Sequence, residues 1–214
     1  MSDLTYEFVL SIVTLFLFYY TTELVFLVSA LFIWGSWVAC KYRNLIKRRN
    51  VEGYHSLGLQ WPKRVDNRVW LGMIIFLIGF AFYSFKNGPR NLQKKRVVGF
   101  TMLFSLILYP LYGLGQMLFF QSVINNRLSE LFSMPLIVIF GSVFFALFHF
   151  RQCCELLVLT FFLGGFYSYF YLTYNSILPL AVFHGIFATI YYYILKGEDV
   201  IRIVLNQIYY LMDK

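Results

Sequence analysis

Two histidines set in apolar runs are the side chains best suited to chemistry in this chain. His149 closes GSVFFALFH, Gly141 to His149, in which Ser142, Ala146 and His149 fall at i, i+4 and i+7 on one helix face. His184 stands in LPLAVFHGIFA, from Leu178, beside a stripe of small residues, Ala181, Gly185 and Ala188. Small side chains let a neighbouring backbone come close, so the spacing predicts two helices that each turn an imidazole toward a packed interior. A third polar group precedes them. Gln121 pairs with Asn125, and Ser122 with Asn126 and then Ser129, at helical spacing. Amides and hydroxyls at membrane depth need partners, which predicts that this face looks into the bundle or a wet cavity.

Imidazoles can hold the oxyanion that forms when a carbonyl is attacked, but hydrolysis also needs a base for the water, normally a carboxylate. None stands on the polar face. Glu130 lies nine residues past Gln121, on the opposite side of a helix. Glu155 follows His149 by six positions and reads as a solvated loop charge. A metal site is the other chemistry to weigh, since His149 and Cys153 are spaced i, i+4, Cys154 is adjacent and His184 is available. Vicinal cysteines at a helix end read more simply as packing residues or acylation sites. Neither a metal nor a cofactor is expected.

The elements that carry these residues belong to a membrane protein. Of the 214 residues 60% are hydrophobic, 21% aromatic and only 13% charged, with a mean hydropathy of +0.67, against an apolar share of roughly 45–50% in soluble domains. The apolar runs are continuous and do not alternate as barrel strands do. The expected class is all-α, a polytopic helical bundle of about six to eight spans of roughly 20 residues each, in one integral membrane domain over residues 1–214. No basic segment with a small-residue cleavage site precedes the first run, so the first span is expected to act as its own insertion signal. Three cysteines, at 40, 153 and 154, do not form a disulfide framework. The net charge of +8 is concentrated, with 13 of 18 Lys and Arg between Lys41 and Arg96. In a membrane protein such clusters read lipid phosphates, so membrane lipids are expected partners and nucleic acid is not.

In chain order, Leu4 to Cys40 carries only Glu7 and Glu23 and is too long for one crossing. It is either a protruding helix or is broken near Tyr20 to Glu23. A basic loop, Lys41 to Arg68, leads to an apolar run, Val69 to Phe85, and a second basic loop, Lys86 to Arg96, contains the Asn-Gly-Pro turn signal. Both basic segments are expected at headgroup level on one side, so that Val69 to Phe85 either fails to cross fully or crosses against the positive-inside rule. The orientation stays open. Val97 to about Ser129 reads as a long helical stretch interrupted by Pro110, Gly113 and Gly115. Pro135 to Phe150, Leu156 to Leu172 and Ile177 to Leu195 read as three further spans, joined by Arg151 to Glu155 and Thr173 to Ser176. Beyond Asp199, Ile201, Val204, Leu205, Ile208 and Met212 keep one face, as in an amphipathic helix lying in the interface.

Phe145-Ala-Leu-Phe-His149 resembles the Phe-x-x-x-His motif of the CPBP (Abi) family, which comprises CAAX-prenyl-protein endopeptidases and bacteriocin-processing or self-immunity proteins. The setting is similar too: Leu163-Gly164, the polar loop Thr173 to Ser176, then Pro179 and His184, and before them Gly58-Leu59-Gln-Trp-Pro62. The resemblance covers a core of about residues 57–195. The family's first motif, Glu-Glu-x-x-x-Arg, supplies the glutamate thought to activate water. With Arg127 as the arginine the glutamates fall on Ser122 and Val123; with Gln121 and Ser122 in their places the arginine falls on Asn126. Neither register contains a carboxylate, and the family's Asn or Asp four residues past the second histidine is Ala188.

The resemblance thus implies a remnant or oxyanion-type role for His149 and His184. It puts Gln121, Ser122, Asn125 and Asn126 at the missing first motif, and Phe145, Ala188 and Arg127 at binding positions. The expected function is a degenerate, pseudoprotease form of the scaffold in the plasma membrane. Its cavity would bind a membrane protein, a peptide or a lipid. The alternatives are an active intramembrane endopeptidase with an unusual base, and a lipid-headgroup-binding or structural subunit.

Overall fold

The computed structural model describes residues 57–88, 99–149 and 154–203, together with residues 9, 10, 13, 14, 17, 33, 206 and 209. Chain packing divides it into two units, Met1–Gly53 and Tyr54–Lys214. In the first, all six described residues are helical. Glu7, Glu23 and Cys40, and the expected break at Tyr20 to Glu23, lie outside the described residues. So do most of the two basic loops, the side chains of Arg127, Cys153, Cys154 and Glu155, and Val204, Leu205, Ile208 and Met212 near the end.

The second unit is a helical bundle, with no strand among the described residues. Helix α1 (Asn67–Asn87) starts where the Asp66 carboxylate accepts from the Arg68 backbone N–H at 2.8 Å. It ends where the Asn-Gly-Pro signal takes over, with Asn87 donating to the Tyr83 carbonyl. At 21 residues, about 31 Å, it is long enough to cross the membrane, which puts residues 57–66 and Gly88 at its opposite ends. Leu71, Ile74, Ile75, Ile78, Phe82 and Phe85 on it are all more than half exposed, a surface made for lipid.

Helix α2 (Phe100–Met117) continues as a π-helical segment, π1 (Leu118–Asn125), and a last turn, α3 (Asn126–Ser129). The expected interruption at Pro110 and the two glycines does not occur; residues 100–125 run as one helical element. Proline removes one backbone hydrogen bond, and a membrane helix tolerates that where a neighbour packs over the gap. Here the neighbour is Gly185. The irregularity comes later, as the wide turns of π1, which bury Phe119, Phe120, Gln121, Ser122, Val123 and Asn125 together.

Helix α4 (Met134–Leu147) has 14 residues, about 21 Å, short of a hydrocarbon core of about 30 Å. Helices α5 (Cys154–Tyr174) and α6 (Leu178–Thr189) follow. The latter is extended by π2 (Ile190–Lys196), which Gly197 terminates in the left-handed conformation, φ 68°. Among the described residues four elements are long and apolar enough to span a membrane: Asn67–Asn87, Phe100–Asn125, Leu156–Tyr174 and Leu178–Lys196. With the expected composition and lipid-facing surfaces, they make the chain an integral membrane protein with an all-helical fold. Val200–Ile203, Asn206 and Tyr209 are helical as well, where the C-terminal amphipathic helix was expected.

Two close crossings hold the bundle. Helix α6 lies on α2, where a Cβ at Gly113 would stand 3.1 Å from the Ala181 carbonyl oxygen and one at Gly185 would run into Pro110. Helix α4 lies on α5, where a Cβ at Gly164 would come within 2.6 Å of the Phe145 Cβ. A Cβ at Gly141 would meet the Ser168 hydroxyl. Lipid tails are as apolar as leucine, so close backbone approach and dispersion, more than the hydrophobic effect, hold such crossings.

Candidate functional site

The site is built around Phe145 on α4, which is fully buried. His184, buried on α6, stands edge-on to it with ring centroids 5.7 Å apart, and the His149 ring lies 4.9 Å from it. Tyr167 of α5 completes the cluster, 5.4 Å from Phe145 and 5.9 Å from His184. Its hydroxyl is 3.4 Å from His184 Nδ1. Phe120 of π1 packs edge-on to Phe145 at 5.3 Å.

His149 differs from the expected placement. Helix α4 ends at Leu147 and the chain tightens, with the His149 backbone N–H donating to the Ala146 carbonyl at 2.8 Å. The histidine therefore sits half-buried in a turn past the helix, with its ring against Phe145. Its Nδ1 is 2.8 Å from the Phe145 carbonyl oxygen. A carbonyl only accepts, so Nδ1 carries the proton and neutral His149 presents a lone pair at Nε2. In that form it offers an oxyanion no donor; it offers a substrate N–H or a water an acceptor.

The polar positions of π1 lie beside this cluster. Asn125 Nδ2 donates to Gln121 Oε1 at 2.5 Å, and both side chains are buried. Among the described residues Asn125 Oδ1 has no hydrogen-bond partner, and neither has the buried Ser168 hydroxyl of α5. Both face Gly141, one turn of α4 before Phe145. No hydrogen bond among the described residues joins the amide pair to either imidazole. The side chains share α4 as a wall, with the amides at the level of Gly141 and the imidazoles at the level of Phe145.

Ser122 and Asn126 are placed for structure. The Ser122 hydroxyl donates to the Leu57 carbonyl at 2.5 Å, and Asn126 donates to the Ser122 carbonyl and accepts from the Tyr171 hydroxyl at 3.1 Å. Ser129, expected on the same inward face, is exposed past the end of the wide turns. Arg127 lies on α3, next to Asn126. Ala188 is buried one turn beyond His184 and brings no polar atom. Among the described residues no carboxylate borders Phe145: Asp66 caps α1, Glu130 and Glu198 are exposed, and Asp199 accepts from the Tyr193 hydroxyl. No group of three or more His, Cys, Asp or Glu among the described residues is arranged to hold a metal ion.

Three participants were not singled out from the sequence, namely Tyr167, Ser168 and Tyr171. Their signal was a hydroxyl-bearing face, Tyr167, Tyr171 and Tyr174 at i, i+4 and i+7, within an otherwise apolar span. Losing one of the buried hydroxyls has a definite cost. Ser122→Ala leaves the buried Leu57 carbonyl without its donor and should destabilise the protein by about 1–3 kcal/mol. Thermal unfolding in detergent reads that loss, and limited proteolysis near residues 57–62 should speed up with it.

No curated protein and no solved structure matches the chain. A family model does. It is described as type II CAAX prenyl endopeptidase Rce1-like, and it matches residues 98–190, the stretch from the start of α2 to the end of α6; over that stretch, with both histidine motifs inside it, this membrane protein is similar to that family.

Proposed function

We propose that the protein is a CAAX-endopeptidase-like membrane protein that holds a polypeptide segment of a partner at its histidine site without cleaving it. One observation carries this reading: where the resemblance calls for carboxylates the buried side chains are Gln121 and Ser122, or Ser122 and Val123, and the Gln121 amide is tied to Asn125 by a hydrogen bond of 2.5 Å. An amide orients water but takes no proton near neutral pH, so the roughly 10²–10⁴-fold contribution of a general base is missing. What the site retains are acceptors and donors suited to a peptide backbone: His149 Nε2, Asn125 Oδ1 and the Tyr167 hydroxyl.

The protein reconstituted in liposomes should bind a farnesylated peptide with a CAAX-type end and release no product above the protein-free rate. Binding is read by fluorescence anisotropy and cleavage by mass spectrometry. A second reading rests on His149 Nε2, whose lone pair is available to act as the base itself. It predicts turnover that disappears in His149→Ala while the fold persists, and that result would replace the first reading with an active endopeptidase.

A further inference from the structure

The loop before α1 forms a second site. Residues 57–66 are fixed to the bundle by three backbone carbonyls: Leu57 accepts from Ser122, Gly58 from the Ile177 N–H at 2.9 Å, and Gln60 from the Ser176 hydroxyl at 2.5 Å. Gly58 makes the turn in the left-handed conformation, against the ring of Tyr171. Between this loop and the end of α5 lies an open cleft of about 510 Å³, lined by Gln60, Pro62, Lys63, Arg64, Thr173 and Tyr174. Its volume is in the range of small-molecule sites, roughly 300–1,000 Å³.

The lining specifies an anion. Lys63 and Arg64 are exposed and form no ion pair among the described residues, and the nearest acid in sequence, Asp66, is engaged as the cap of α1. The Tyr174 hydroxyl and the Gln60 amide have no hydrogen-bond partner among the described residues and add neutral donors beside the two cations. A planar guanidinium fork with an ammonium and hydroxyl donors suits phosphate oxygens.

The position specifies the source. The cleft lies where α1 begins and α5 ends, at the ends of two spans and therefore at headgroup depth. Trp61, more than half exposed, stacks on Trp70 with centroids 6.2 Å apart and an interplanar angle of 10°, the kind of aromatic pair that sits at a membrane–water boundary.

We infer that this cleft binds a phosphate-bearing anion, supplied by the headgroup of an anionic phospholipid. The site is separate from the histidine cluster, so the inference stands whether or not a peptide binds there. The test is native mass spectrometry of the full chain in detergent, titrated with phosphatidylglycerol, phosphatidylcholine or inorganic phosphate. Phosphatidylglycerol should bind more tightly than phosphatidylcholine, and the double variant Lys63→Gln with Arg64→Gln should weaken it about tenfold or more. Lys86→Gln with Lys196→Gln removes the same charge at the far end of α1 and at its neighbour π2, and should change little. Equal binding by the Lys63/Arg64 variant, or an equal loss in the Lys86/Lys196 pair, would overturn the site. Inorganic phosphate that displaces the lipid at matched concentration would keep the anion site and overturn the lipid source. All four residues are exposed, so unchanged thermal unfolding is expected in both variants.

Discussion

Gly185→Val should abolish the folded bundle. A Cβ at this position would run into the Pro110 ring and its backbone nitrogen, and the valine branches only enlarge the overlap. Neither partner can yield, because Pro110 sits inside a continuous helix and its ring has no alternative rotamer. Overpacking a tight interior costs about 1–3 kcal/mol where side chains can rearrange, and here the obstacle is a ring and backbone. The crossing of α2 on α6 would have to open, taking Gly113 away from Ala181 and from His184. Size-exclusion profile and thermal unfolding in detergent measure the effect. Gly72→Val and Gly79→Val are the controls: a Cβ at either position meets nothing within 4 Å, so both variants should elute as the native protein does. A Gly185→Val protein with native elution and native unfolding temperature would show that α2 and α6 do not cross as described.

That crossing illustrates what was legible in the sequence. The stripe of Ala181, Gly185 and Ala188 announced a close helix contact, because small residues at helical spacing have few other uses in an apolar span. The all-helical class followed from continuous apolar runs, and α1, α5 and the α6–π2 element start and stop within a few residues of where those runs do. What was not legible is where the hydrogen-bond pattern departs from the regular α-helix. The wide turns of π1 were invisible, since 100° per residue was the only period applied to Gln121 through Ser129; those turns bury Gln121, Ser122 and Asn125 while leaving Ser129 exposed. The early stop of α4 escaped notice for the same reason. No glycine or proline lies between Ser142 and His149, and the tightened turn there is fixed by its ring bonding to the Phe145 carbonyl. Pro110 misled in the other direction: a helix breaker in water is tolerated in a bundle that packs a glycine against it.

Phe145→Ala should be the most damaging single change at the site, and it separates a packing role from a chemical one. The ring is wholly buried and touches Phe120, Tyr167, His149 and His184, so truncation leaves a cavity into which a ring-stacked wall cannot collapse. Such truncations cost about 3–5 kcal/mol, enough to lower the unfolding temperature by many degrees and to free both imidazoles from their orientation. Phe145→Leu keeps much of the volume and should cost far less, which leaves a folded protein to assay even if the alanine variant aggregates. His149→Gln is the counterpart. The glutamine amide can still donate to the Phe145 carbonyl from a half-buried position, so stability should stay within about 1 kcal/mol of native. If the site retains a peptide by shape, Phe145→Leu weakens binding of the farnesylated peptide more than His149→Gln does. If the native protein instead cleaves that peptide, and His149→Gln abolishes the cleavage with unfolding unchanged while Phe145→Leu leaves it intact, the imidazole is acting chemically. The retention reading then gives way to catalysis, because losing an acceptor that only holds the peptide weakens binding but has no turnover to remove.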